Sequence, residues 1–229
     1  PLATFLRAAD LARHEEDSPP RPNTQVRPRG LYRQALDLDP NSEAAFAGLR
    51  ELLEENAAHG VLAEALAARV AVARNPFEIT SLRLARAELL AGPLHDTPGA
   101  KAELETILQK EPHHARALAR LSDLEYEDGA FGVAGELYLR RAVGERAPEV
   151  LREVLLRLGR IYTRHVPDGK RAIGAYARVL QTEPENHEAL AALSDLYAAA
   201  GDVKNALAVT EALTRVEPEP ARRLAALIR

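Results

Sequence analysis

The chain contains no cysteine, no methionine and no tryptophan. Without cysteine there is no disulfide, no thiolate metal site and no thiol nucleophile, although this says nothing of the compartment. Aromatic residues are few, six Tyr and four Phe in 229 residues. Much of the interior must therefore be Ala and Leu, which suits helices packed closely on helices. Strand-like runs of Val, Ile and Thr are missing, and the expected class is all-α. No apolar run reaches the roughly 18 to 20 residues that a membrane span requires. An excess of positive charge is also missing. The formal net charge of −4 provides no basic field for phosphates and argues against nucleic acid as a partner. Lysine stands only at 101, 110, 170 and 204, and the other cations are arginine. Heavy Ala and Arg usage without Cys points to a bacterial source. A chain that starts at Pro1 and has no Met reads as part of a longer protein, so no targeting segment can be argued either way.

The composition that remains, 46% hydrophobic and 28% charged, belongs to a folded chain. Prolines recur at 40, 76, 112, 148 and 184, and again at 218. Six and nine places after each proline stand apolar or small pairs: Phe46/Leu49, Leu82/Ala85, Leu118/Leu121, Leu190/Leu193 and Leu224/Leu227. The pair after Pro148 slips by one, to Leu155/Leu158. Four places beyond come Leu53, Leu89, Glu125, Tyr162 and Tyr197, where Glu125 is the misfit and Leu124 or Tyr126 is expected to take its packing role. Counting back from the prolines gives a second helix, marked by Ala100, Ala172 and Ala206, by Tyr32, Leu104, Tyr176 and Thr210, and by Ala35, Ala71, Ile107, Val179 and Leu213. In the unit ending at Pro148 the equivalents are Ala134 and Tyr138, displaced by two. Small residues facing large ones let helices approach closely, so enlarging Ala206 to Leu should cost about 1–3 kcal/mol by overpacking.

The clearest unit runs from Pro184 to Pro218. Leu190, Leu193, Leu196 and Tyr197 form one helical face, Gly201-Asp202 makes a turn, and Ala206, Val209, Thr210 and Leu213 form a second face. This pattern, with LRLGRIY at 156–162 and AIGAYARVLQTEP ending at Pro184, resembles the tetratricopeptide repeat. The resemblance covers most of the chain. It implies a right-handed α-solenoid of about five full helix-turn-helix units, 41–76, 77–112, 113–148, 149–184 and 185–218, with partial units at both ends. Residues 1–40 form a degenerate first repeat with a Pro-rich insertion at about 17–30, expected to lack regular helix, and 219–229 begin a further helix. The unit 41–76 departs most, with an irregular turn from Asn56 to Gly60 and Glu64 in a small-residue slot. The unit 77–112 has an enlarged turn from Gly92 to Gly99.

Chemistry is sparse. Seven histidines show no ligand spacing: the side chains of His113 and His114 point about 100° apart on a helix, and no HExxH occurs. Ser122 and Ser194 read as small packing residues, and carboxylate groups such as Glu51, Glu54 and Glu55 as a solvated face. PPRP at 19–22 reads as a loop that favours polyproline II. No enzyme, metal or cofactor is expected.

In the family, stacked first helices line a concave groove that holds a peptide or partner protein. The resemblance places Glu51, Glu54, Glu55, Thr80, Arg83, Arg116, Asp123, Tyr126, Glu127, Glu153, Arg160, Thr163, Arg164, Glu188 and Asp195 along it. A carboxylate clamp is not expected, since Glu51, Ala87, Asp123, Arg160 and Asp195 occupy the slots of its Asn. The candidate partner-binding residues are Arg83, Arg116, Asp123, Tyr126, Arg160 and Arg164. The expected function is a scaffold or adaptor for another protein or peptide, with an acidic segment meeting the arginines. Reversing Arg160 and Arg164 to Glu is expected to weaken binding without unfolding the array. Alternatives are the regulatory or positioning arm of a larger enzyme, or a periplasmic arm of an envelope transport or polysaccharide export system. The expected compartment is the cytoplasm, with the periplasm as alternative.

Overall fold

A computed structural model describes residues 2–15 and 28–216, and every element among them is helical. The chain divides into two units, Pro1–Lys110 and Glu111–Arg229. The first contains α1 (Leu2–Glu15), α2 (Pro28–Leu38), α3 (Glu43–Glu55), α4 (His59–Val72), α5 (Pro76–Ala91) and α6 (Thr97–Lys110). The second contains α7 (Ala115–Glu127), α8 (Phe131–Gly144), α9 (Pro148–Arg160), a π-helical turn (Ile161–His165), α10 (Gly169–Thr182), α11 (His187–Ala199) and α12 (Val203–Val216). Consecutive helices pack against each other within each unit, as helical hairpins do.

The prolines recur every 36 residues, but the helices repeat every 72. Helices α3, α7 and α11 start at 43, 115 and 187 and end at 55, 127 and 199. Helices α4, α8 and α12 start at 59, 131 and 203, and α6 and α10 at 97 and 169. Local chemistry follows the same step. Ser42 Oγ accepts from Ala45 N at 3.3 Å, His114 Nδ1 from Ala117 N at 3.2 Å, and Asn186 Oδ1 from Ala189 N at 3.0 Å. Each capped helix thereby satisfies an otherwise unpaired N–H of its first turn. Ala57, Gly129 and Gly201, also 72 apart, take positive φ of 48°, 76° and 72° to turn into the second helix. The intervening prolines do a different job. Pro76 and Pro148 sit inside the first turn of α5 and α9, where a missing N–H costs nothing, whereas Pro40, Pro112 and Pro184 stand two places before a cap.

The cores match the predicted interior of Leu, Ala and Tyr. In the second unit Ala134, Tyr138, Leu155, Leu158, Ala172, Tyr176, Val179 and Leu193 belong to one buried cluster. In the first, Tyr32, Leu49, Leu53 and Leu66 do the same around Leu31 and Leu52. Each fully buried Leu contributes about 1.5–3 kcal/mol over exposure. Gly159 is required by a close approach: a Cβ there would stand 2.5 Å from the Tyr176 ring. Leu124, at 3% exposure, takes up the packing role at the Glu125 position, while Glu125 is itself buried.

Several expectations need correction. Pro28, Arg29 and Gly30, expected to be non-helical, form the first turn of α2, and the rest of the Pro-rich stretch lies outside the described residues. Helix α5 starts at its proline, three residues earlier than α3 does. Its buried face runs Leu82, Leu84, Ala87 and Leu90, with Ala85 only half-buried. In α4 Ala71 and Glu64 face solvent, and Ala63, Leu66 and Arg69 are buried instead. Ala206 is half-buried where its counterpart Ala172 is fully buried, so the overpacking cost expected at Ala206 belongs to Ala172. The enlarged turn after Gly92 ends early, because Asp96 accepts from Gly99 N at 2.9 Å and Thr97 is already helical. The PPRP motif, Pro218, Leu224 and Leu227 lie outside the described residues.

Candidate functional site

Two arginines of α9 tie the first helices of the second unit together. The Tyr138 hydroxyl donates to Asp123 Oδ1 at 2.6 Å, and Arg157 Nη1 donates to the same oxygen at 2.8 Å and to the tyrosine oxygen at 2.9 Å. Arg157 Nε reaches Glu153 Oε1 at 3.2 Å, and its guanidinium lies 6.0 Å from the ring centres of both Tyr126 and Tyr138. Three residues on, Arg160 grips Glu188 of α11, Nε and Nη2 each donating to one carboxylate oxygen at 2.6 Å, a bidentate pair. Asp123, Arg157, Arg160 and Glu188 thus link α7, α9 and α11 along one polar face.

The electrostatics follow from these contacts. Burial pushes the Tyr138 phenol up to about 12, aided by the hydrogen bond to Asp123 and opposed by Arg157. The Tyr138 hydrogen bond holds Arg157 in its charged form, as the Glu188 bond does Arg160. Beside the network lies a pocket of about 320 Å³ between α9 and the α7–α8 hairpin, with Val150 and Val154 on one wall and Arg141 on the other. At the end of the hairpins, Tyr126 meets Phe131 edge-on at 5.4 Å, and Phe131 stacks on His165 of the π-helical turn at 3.6 Å.

The structure distributes the six candidate residues unevenly. Asp123 and Tyr126 meet at Arg157. Arg160 is occupied by Glu188, and Arg116 and Arg164 are exposed at the beginning of α7 and in the π-helical turn. Arg83 belongs to the other unit. Its Nη1 is 2.5 Å from Glu103 Oε2, Arg86 also bonds Glu103, and Arg83 Nε is buried without a partner among the described residues. Arg157, Arg141 and the hydroxyl of Tyr138 were missed by the sequence reading. The available signal was the i, i+4, i+8 row Glu149, Glu153, Arg157 on one face of α9. Among the described residues, no three His, Asp or Glu side chains come together as metal ligands, and no helix is long and apolar enough to cross a membrane.

Residues 168–229 match the family model described as Tetratricopeptide repeat. No curated protein matches the chain. Among solved structures, the MamA RS-1 ArsTM double mutant is similar at 15% identity and a TM-score of 0.52, over 75% of this chain and 92% of that one. A tetratricopeptide repeat protein from Parabacteroides merdae ATCC 43184 is similar at 14% identity and a TM-score of 0.51, over 98% of this chain and 83% of that one. At such identity the likeness is one of fold. The segment 168–229 thus matches the tetratricopeptide repeat, and the helical hairpins before it share the fold of a solved tetratricopeptide repeat protein.

Proposed function

We propose that the linked faces of α7, α9 and α11 are a docking surface for a protein partner that presents an acidic segment to Arg164 and Arg116. Tetratricopeptide-repeat proteins are in general interaction scaffolds, and the repeat match over 168–229 supports that general class for this chain. The observation that supports the finer reading is the pair of side-chain bridges, Asp123–Arg157 and Arg160–Glu188. They spend Arg157 and Arg160 on internal pairing and hold three successive first helices in register, and Arg116 and Arg164 stand at exposed positions of the same unit. Ordering a surface beforehand lowers the entropy that binding must overcome.

Arg160 is therefore a residue that orders the surface, and its reversal would set Glu against Glu188. The test uses Arg164→Glu and Arg116→Glu in the full chain, with the immobilised wild type capturing a partner whose affinity is then titrated. Each reversal should weaken that partner at least about tenfold, with an unchanged circular dichroism spectrum. Equal affinity for wild type and both variants removes this face from the site.

A further inference from the structure

We infer that the pocket between α9 and the α7–α8 hairpin receives an uncharged primary carboxamide, the side chain of an Asn or Gln on the partner; this rests on the docking reading above. The starting observation is Arg141. Its side chain is only 18% exposed, yet it donates no hydrogen bond to any described residue. Its nearest carboxylate oxygen, Asp123 Oδ1, is 3.9 Å away and already accepts from Tyr138 and Arg157. A guanidinium offers five N–H donors, and those of Arg141, on the pocket lining, are taken up by no described residue and stay within reach of a ligand.

Acceptors on the same pocket are in surplus. Glu149 accepts no hydrogen bond from a described residue, and Glu153 uses one oxygen, toward Arg157. Asp123, Glu149 and Glu153 against Arg141 and Arg157 give the lining a net charge of −1. That balance decides between ligands. An anion could reach Arg141, but it would raise the local excess to −2 and face three carboxylates. A cation could reach the glutamates, but it would crowd two guanidiniums and leave Arg141 without an acceptor. A carboxamide satisfies both sides at no change in charge: its oxygen accepts from Arg141 and its NH2 donates to Glu149 or Glu153. Val150 and Val154, one turn apart on α9, supply the apolar wall for its methylenes. A volume of about 320 Å³ has room for one such side chain.

The experiment follows the methyl resonances of Val150 and Val154 in the full chain during titration with Nα-acetyl-L-glutamine N-methylamide, and with the corresponding glutamate and lysine compounds. The glutamine probe should give saturable shifts at millimolar concentration, with the charged probes weaker by about tenfold or more. Arg141→Met should abolish the glutamine response while leaving the α12 resonances in place. Glu149→Ala, at an exposed position, should weaken the glutamine probe and narrow its advantage over glutamate. No saturable shift with glutamine, equal binding of a charged probe, or an unchanged response in both variants overturns the proposal. Failure here leaves the docking face testable by Arg164→Glu, and failure there leaves the pocket testable by these probes.

Discussion

Ala57 holds a backbone conformation that its 72-residue counterparts assign to glycine. Its φ of 48° equips the turn between α3 and α4, and a Cβ in the left-handed region costs roughly 1–2 kcal/mol. Ala57→Gly should recover part of that, less the added chain entropy, for a net gain of up to about 1 kcal/mol in urea unfolding. A loss of stability would show that the Ala57 methyl makes a contact worth more than the strain. Tyr138 makes a prediction about pH. Burial chiefly raises its phenol from the ordinary value near 10 in the unfolded chain to about 12 in the folded one. The folded protein keeps a proton that the unfolded chain releases. This contribution is whole below pH 10 and is lost as pH rises through 12. Tyr138→Phe should therefore flatten the fall of stability between pH 10 and 12, while costing about 0.5–1.5 kcal/mol at pH 7 through the lost hydrogen bonds. An alkaline limb identical to wild type would assign that fall to other groups.

Among the elements, α10 and α12 carry the same pattern in different surroundings. Ala172 is fully buried and Tyr176 nearly so, whereas Ala206 and Thr210 are half-buried. Ala172→Leu should cost about 1–3 kcal/mol by overpacking, and Ala206→Leu less than about 1, measured as shifts of the thermal midpoint. Equal costs would mean that α12 is as enclosed as α10. These helices also show how far spacing can be read. Helices α7 and α11 were legible because a polar cap two residues after the proline fixes where the apolar face begins. Helix α5 was not, since Pro76 serves as its first-turn residue and moves the buried series to Leu84 and Ala87. At the candidate site, Asp123, Tyr126 and Arg160 were legible as positions on a shared face. Arg157 was not, because its partner Asp123 lies 34 residues away and spacing does not say which way a long side chain leans.

For the molecule as a whole, the consequence lies in what lengths of chain it can lose. Excising 41–112 would join Pro40 to His113-His114, so that α7 follows α2 as its 72-residue counterpart α11 now follows α10, whose last residue lies 144 after that of α2. Excising 41–76 would bring α5 after α2, although α5 follows α4 now and meets it with a differently phased apolar stripe. The shorter protein missing 72 residues should melt cooperatively, with helical content per residue near that of the parent. The one missing 36 should melt broadly and at lower temperature. Natural or engineered variants of this array are thus expected to change length in even numbers of hairpins, as a chain does when its smallest interchangeable brick is four helices rather than two.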